Sequence, residues 1–208
     1  MVFAAQPRCV VRGGAQRAAS GVPPTYTRPM TTYLHRLIDY NNWANRGLLE
    51  FLRTLPEEAL DLRAGGVFGS IRQTFEHLLS SEFRYHRSLL SLPQVDAVRS
   101  ETPSLDDLAV LARESGANLN RLVDSLPEPG TMMQLRDGSR SAATILTQLL
   151  VHGVEHRAHI GTILGANGIS GPELDGWAHG IFAYGDAWPA DWGPEPQVRA
   201  QFPTPEQD

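Results

Sequence analysis

Residues 149–164 read LLVHGVEHRAHIGTIL and hold three of the chain's seven histidines, His152, His156 and His159. At about 100° per residue the three fall within about 60° of one another on a helix. The same arc carries Ile145, Leu149 and Ile163. With Leu146, Leu150, Ile160 and Leu164 the pattern predicts a long helix with its apolar stripe toward a core. Three imidazoles on a core-facing arc are costly unless a partner uses their lone pairs or N–H groups.

A metal ion is such a partner. His152 and His156 stand at i, i+4, the spacing by which the two histidines of H-E-x-x-H helices present nitrogens to one ion. His159 lies about 10 Å along the axis from His152, too far to share an ion bound at about 2.0–2.1 Å. His156 and His159, at i, i+3, form a weaker alternative pair. Three helical histidines satisfied by hydrogen bonds are the competing account, and a further ligand from elsewhere in the chain decides between them.

Length and composition frame the rest. A chain of 208 residues, 41% hydrophobic and 20% charged, is expected to form one soluble globular domain. No apolar run approaches the roughly 18 residues of a membrane span. The formal net charge of −5 is uneven: residues 1–29 hold four arginines and no acid, leaving 14 arginines against 23 acids from Met30 onward, a formal −9. Such a domain has no electrostatic reason to bind nucleic acid. The chain contains no lysine, which excludes Schiff-base, P-loop-lysine and Ser-Lys chemistry. Its one cysteine, Cys9, lies in the N-terminal stretch, so a metal site must be built from His, Asp or Glu.

Residues 1–29 lack periodicity and an apolar h-region, so they do not read as a secretory signal. They are expected to be a disordered extension, or translation from a start upstream of Met30, with an organelle transit peptide as the alternative. Thr31 or Thr32 caps a helix expected to reach Leu55, before Pro56. Asn41 and Asn45 interrupt its inner stripe and either brace the bundle or line a pocket. Ser70 caps a second helix to about Leu90, with Glu82 at the centre of its apolar stripe and His77 beside it. Pro103-Ser104 opens a third, to about Leu126, in which Leu105, Leu108, Ala112, Ser115, Leu119, Leu122 and Leu126 repeat in the 3-4 pattern of bundle packing. Asp137-Gly138 reads as a type I′ hairpin turn, and Ser139 or Ser141 starts the histidine helix, which ends at residues 165–168. A shorter helix is expected from Glu173 to about Ala187, and residues 188–208, with five prolines after Trp188, as a loose tail.

Four long amphipathic helices without a convincing sheet predict an all-α fold, a four-helix bundle within residues 30–187. Bundles build metal sites from side chains on facing helices. That makes His77 the natural third ligand, beside His152 and His156.

Tyr40-Asn-Asn-Trp43-Ala44-Asn45, Glu76-His77-Leu-Leu and His152-Gly-Val-Glu-His156-Arg157 together resemble the DinB/YfiT-like superfamily of metalloenzymes. The resemblance covers Met30 to Gly168, including the Asp-Gly hairpin before the last bundle helix. It implies an up-down-down-up four-helix bundle, a homodimer, and a divalent metal, zinc or nickel, on His77, His152 and His156. The family's usual Arg-Gly-Gln after the last ligand is here Arg157-Ala158-His159, which makes His159 a candidate polar pocket group along with Asn45 and Glu82. Relatives of this kind include transferases that use low-molecular-weight thiols such as bacillithiol, mycothiol or glutathione. The resemblance thus implies a metal-dependent thiol S-transferase or hydrolase acting on a small molecule in the cytoplasm. A non-enzymatic metal-binding stress protein or dimeric scaffold is the alternative.

Overall fold

The computed structural model describes residues 32–95, 97 and 102–187. The N-terminal extension and the proline-rich tail of the sequence reading lie outside the described residues. Four helices, α1 (Tyr33–Arg53), α2 (Ile71–Leu89), α3 (Leu105–Leu122) and α4 (Ala142–Ala166), carry the architecture. A short 3₁₀ turn (Glu57–Asp61) follows α1, a two-stranded hairpin (β1, Met132–Leu135; β2, Gly138–Ser141) precedes α4, and α5 (Gly176–Tyr184) follows it. Among the described residues the fold is therefore all-α apart from one antiparallel hairpin. Among the described residues no helix is long and apolar enough to cross a membrane.

Each helix starts where a side chain can satisfy the first free N–H groups. Thr32 accepts from the His35 amide, Ser70 and Ser104 form capping boxes with Gln73 and Asp107, Ser141 caps through the Thr144 amide, and Asp175 accepts from Ala178. Three helices are shorter than the sequence predicts. α1 stops at Arg53 because the Thr54 and Leu55 amides turn back to Phe51 and Leu52, three residues away, as Pro56 disfavours helical backbone at Leu55. α3 stops at Leu122 for a similar reason, the Asp124 and Ser125 amides bonding to Arg121 and Leu122. α5 is bounded by the Asp175 cap and by Gly185 at φ 71°, so it starts later and ends earlier than residues 173–187. The hairpin also differs: Leu135 pairs with Gly138, which makes Arg136-Asp137 the turn. Positive φ falls on Gly138 at 124° and on neither turn residue, so the turn is not type I′.

Two apolar clusters fix how the helices run. One joins Leu48 and Leu52 near the end of α1, Ile71, Phe75 and Leu78 at the start of α2, Leu108 and Leu111 at the start of α3, and Ile160, Ile163 and Leu164 at the end of α4. The other joins Ile38, Leu89, Leu119, Leu122, Ile145 and Leu149, from the opposite end of each helix. α1 and α4 therefore point one way and α2 and α3 the other, the up-down-down-up order. Around the ring α2 packs on α4 and α3, and α1 on α3 and α4.

Between the two clusters the interior is polar. Asn41 and Asn45 of α1, Glu82 of α2, Ser115 of α3, and His152, His156 and Arg157 of α4 are all buried at this level. Outside the ring α5 lies on α1: Ala178 packs with Trp43 and Ala44, and the Tyr40 hydroxyl donates to the Leu174 carbonyl at 2.9 Å. Trp43, which the periodicity places on a flank, is buried for that reason.

Candidate metal centre

α2 and α4 run antiparallel in close contact, and this brings His77 against His152 and His156. The Nε2 atoms of His152 and His77 are 3.3 Å apart, and those of His156 and His152 are 3.1 Å apart. Across all three residues the ligand nitrogens lie within 4.8 Å of one another. Three nitrogens on a tetrahedral ion at about 2.0–2.1 Å stand about 3.3–3.4 Å apart, so the two contacts made by His152 match the spacing of a coordination shell and the group could hold an ion.

Hydrogen bonding among the rings satisfies only one of these two contacts at a time. A neutral imidazole nitrogen carries either one proton or one lone pair in the ring plane. His152 Nε2 faces both His77 and His156, so it can complete one N–H···N bond and not both. A cation at the point of convergence would use all three lone pairs. The Nδ1 of His152 is buried and meets no hydrogen-bond partner among the described residues.

The electrostatics keep the rings neutral. Burial first, then the proximity of His156, His77, Arg84 and His159, pushes His152 down to about 4. Burial and the Arg84 charge lower His77, with Glu76 opposing. Burial, His77 and His159 lower His156, with Glu155 opposing. Neutral imidazole is the form that ligates a metal.

Neighbouring side chains hold the rings in place. Phe68, in the loop before α2, stacks on His77 with ring centres 4.5 Å apart and meets His156 edge-on at 5.5 Å. Tyr85 meets His152 edge-on at 6.0 Å. His159 lies outside the cluster, its Nδ1 3.3 Å from Nδ1 of His156. With the proton on Nδ1 of His156 donated to His159, the Nε2 lone pair of His156 faces the cluster. A hydrogen bond of this type fixes the tautomer and orientation of a ligating histidine.

Asn45 and Glu82 sit in a buried brace beside the histidines. Asn41 Nδ2 donates to Glu82 Oε1 at 2.7 Å, and Asn45 Nδ2 donates to the same carboxylate at 3.0 and 3.1 Å. Ser115 Oγ donates to it at 3.3 Å. Arg157 Nη1 donates to Oδ1 of Asn41 at 2.9 Å and of Asn45 at 2.7 Å. The two amides thus relay between a guanidinium and a carboxylate, and tie α1, α2, α3 and α4 together one residue past His156. Burial raises the Glu82 carboxyl, opposed by its Asn41 and Asn45 hydrogen bonds, the Arg157 charge and Ser115.

Arg157, Ser115 and Phe68 join this region although the sequence pattern does not single them out as site residues. Arg157 was visible inside the motif, and an arginine one residue from a core-facing histidine is itself a signal of a buried partner. Ser115 hid inside an otherwise apolar repeat, and Phe68 reaches the site from a loop that has no period to read.

The DinB family model matches residues 30–181. A curated relative, "Protein DinB" of Bacillus subtilis (strain 168), is 21% identical over 168 residues, covering 74% of this chain and 96% of that protein. A crystal structure of a DinB-like protein, YjoA from Bacillus subtilis, aligns with TM-score 0.49 and 14% identity, covering 67% of this chain and 98% of that one.

Proposed function

Because the chain belongs to the DinB family, we propose that His77, His152 and His156 hold one divalent ion, zinc or nickel, at the active site of an enzyme. The reaction we assign is transfer of a low-molecular-weight thiol to an electrophilic small molecule, or hydrolysis at the same centre. The observation that carries the reading is the convergence of three Nε2 atoms at ligand spacing, on rings held neutral by burial.

When bound, such an ion acts as a Lewis acid that acidifies a water or a thiol. The chain supplies the rest. Three neutral histidines leave part of the coordination sphere for an outside ligand, as catalytic sites do and closed structural sites do not. His159 orients the His156 ring, Phe68 shields His77 and His156 from one side, and the Asn41–Asn45–Glu82–Arg157 brace fixes the register of α4 against α1 and α2. With Cys9 outside the described residues and no other cysteine in the chain, the reacting thiol would come from the co-substrate.

The same proposal includes a homodimer, for which the exposed Val151 and Val154 on the outer face of α4 offer apolar surface, and no nucleic-acid partner, from the acidic charge after Met30. Light scattering tests the dimer. The enzymatic reading is tested by incubating zinc-loaded protein with each candidate thiol and a chromogenic electrophile, and with chromogenic esters and amides. Turnover that chelation abolishes and metal restores is expected. A fully metal-loaded protein that turns over none of them would favour the non-enzymatic alternative.

A further inference from the structure

Between the second half of α2, the start of α4 and the hairpin lies a cleft of about 410 Å³, within the size range of small-molecule sites. We propose that Arg84, Arg136 and Arg140 in this cleft bind the anionic end, a carboxylate or phosphate, of the molecule that reacts at the histidine centre. The proposal rests on reading that centre as reactive, and names the chemistry of its substrate.

Charge is the first argument. Three of the ten residues lining the cleft are arginines and one, Asp137, is an acid, in a chain whose formal net charge is −5. A cationic cleft on an acidic protein selects for anions. Arginine is also the side chain whose planar fork of donors matches carboxylate and phosphate oxygens. The Asp137 carboxylate is 3.9 Å from Arg140 Nη2 and 78% exposed; an exposed pair of this kind contributes little and does not hold Arg140 against a better anion.

Position is the second. Tyr85 lines the cleft and also meets the His152 ring edge-on at 6.0 Å. Gln148, another lining residue, precedes His152 by one turn of α4. Arg84 stands seven residues, about two turns, after His77 on the same helix. Thr144, in the first turn of α4, brings the positive end of that helix to the same wall. Arg84 is steadied by donating to Ser81 Oγ at 2.9 Å, and Arg140 by donating to the Ser139 carbonyl at 2.9 Å. The apolar wall of Leu135 and Ile145 suits the uncharged stem of a ligand.

Calorimetric titration tests this with succinate, inorganic phosphate and uncharged succinamide, on zinc-loaded and on chelator-stripped protein. At least one of the two anions should bind one per chain and succinamide should not. The stronger of succinate and phosphate identifies the anion class. Arg136→Gln/Arg140→Gln should weaken that binding at least tenfold with metal content unchanged. Binding that persists in stripped protein and falls in the double variant supports the cleft whatever becomes of the metal. In cobalt-loaded protein the bound ligand's nuclear relaxation should be enhanced by the neighbouring ion. No binding of either anion, equal binding by the double variant, or binding that depends only on the metal would overturn the proposal.

Discussion

Gly153 and Asn41 approach so closely that a Cβ on Gly153 would lie 2.7 Å from Asn41 Oδ1. It would also lie 3.1 Å from Arg157 Nη1 and 3.5 Å from Glu82 Oε1. Asn41 cannot swing aside, because it is buried and bonded to both Glu82 and Arg157. The glycine is the space into which the brace fits.

Gly153→Ala therefore has a sign opposite to helix propensity. Propensity alone favours alanine in a helix by about 1 kcal/mol, but overpacking costs more, and a net loss of about 1–2 kcal/mol is expected. Denaturant melts of the two proteins decide it, and a more stable alanine variant would contradict the packing.

Asn45→Ala removes one of the two amides that join Arg157 to Glu82 and leaves buried charge without part of its hydrogen bonding. A loss of about 2–3 kcal/mol is expected. Urea unfolding monitored by circular dichroism reads it, and a loss below the measurement error would show that water replaces the amide.

His159→Ala leaves all three ligand nitrogens in place and removes the hydrogen-bond partner of His156 Nδ1. Metal should still bind one ion per chain, with affinity reduced about tenfold. Competition with a fluorescent chelator measures this. An unchanged affinity would remove His159 from the account, and loss of the ion would move the site to the His156/His159 pair.

Burial pushes His152, His86 and His179 down to about 4, and Arg36 contributes at His179. Below the ordinary histidine value of about 6.5 the unfolded chain takes up protons that these folded rings refuse. Stability of chelator-treated protein should be full above that pH and fall as pH drops toward 4. Glu82, whose carboxyl is raised, acts in the opposite direction and blunts the fall without reversing it. His179→Phe, at a ring packed among Tyr40, Trp43 and Tyr184 and not one of the three candidate ligands, should flatten the thermal midpoint's dependence on pH between those limits. A slope unchanged by this substitution would contradict a neutral buried His179.

The sequence was most informative where local chemistry decides structure. Ser70, Ser104 and Ser141 announced three helix starts because each supplies an acceptor to amides that need one. The nearness of His77 to His152 and His156 was legible because bundle packing sets its helix against the one that carries them. Asn41, Asn45 and Glu82 stood out as polar residues on apolar stripes, and the structure places all three in one brace. Helix ends were less legible, since Leu55 and Leu126 continue the apolar period while the backbone has already turned. The arginine cleft could not be read at all: Arg84 and Arg140 lie on different elements, 56 positions apart in the chain, and only the α2–hairpin packing unites them.

Elemental analysis of purified protein decides whether His77, His152 and His156 share one ion. Wild type should carry one divalent ion per chain after equilibration with zinc or nickel. His77→Ala, His152→Ala and His156→Ala should each lose it while keeping the helical circular dichroism of the wild type, because the four helices are already stabilised by their two apolar clusters. Stoichiometric metal retained in His152→Ala or His156→Ala would contradict the account.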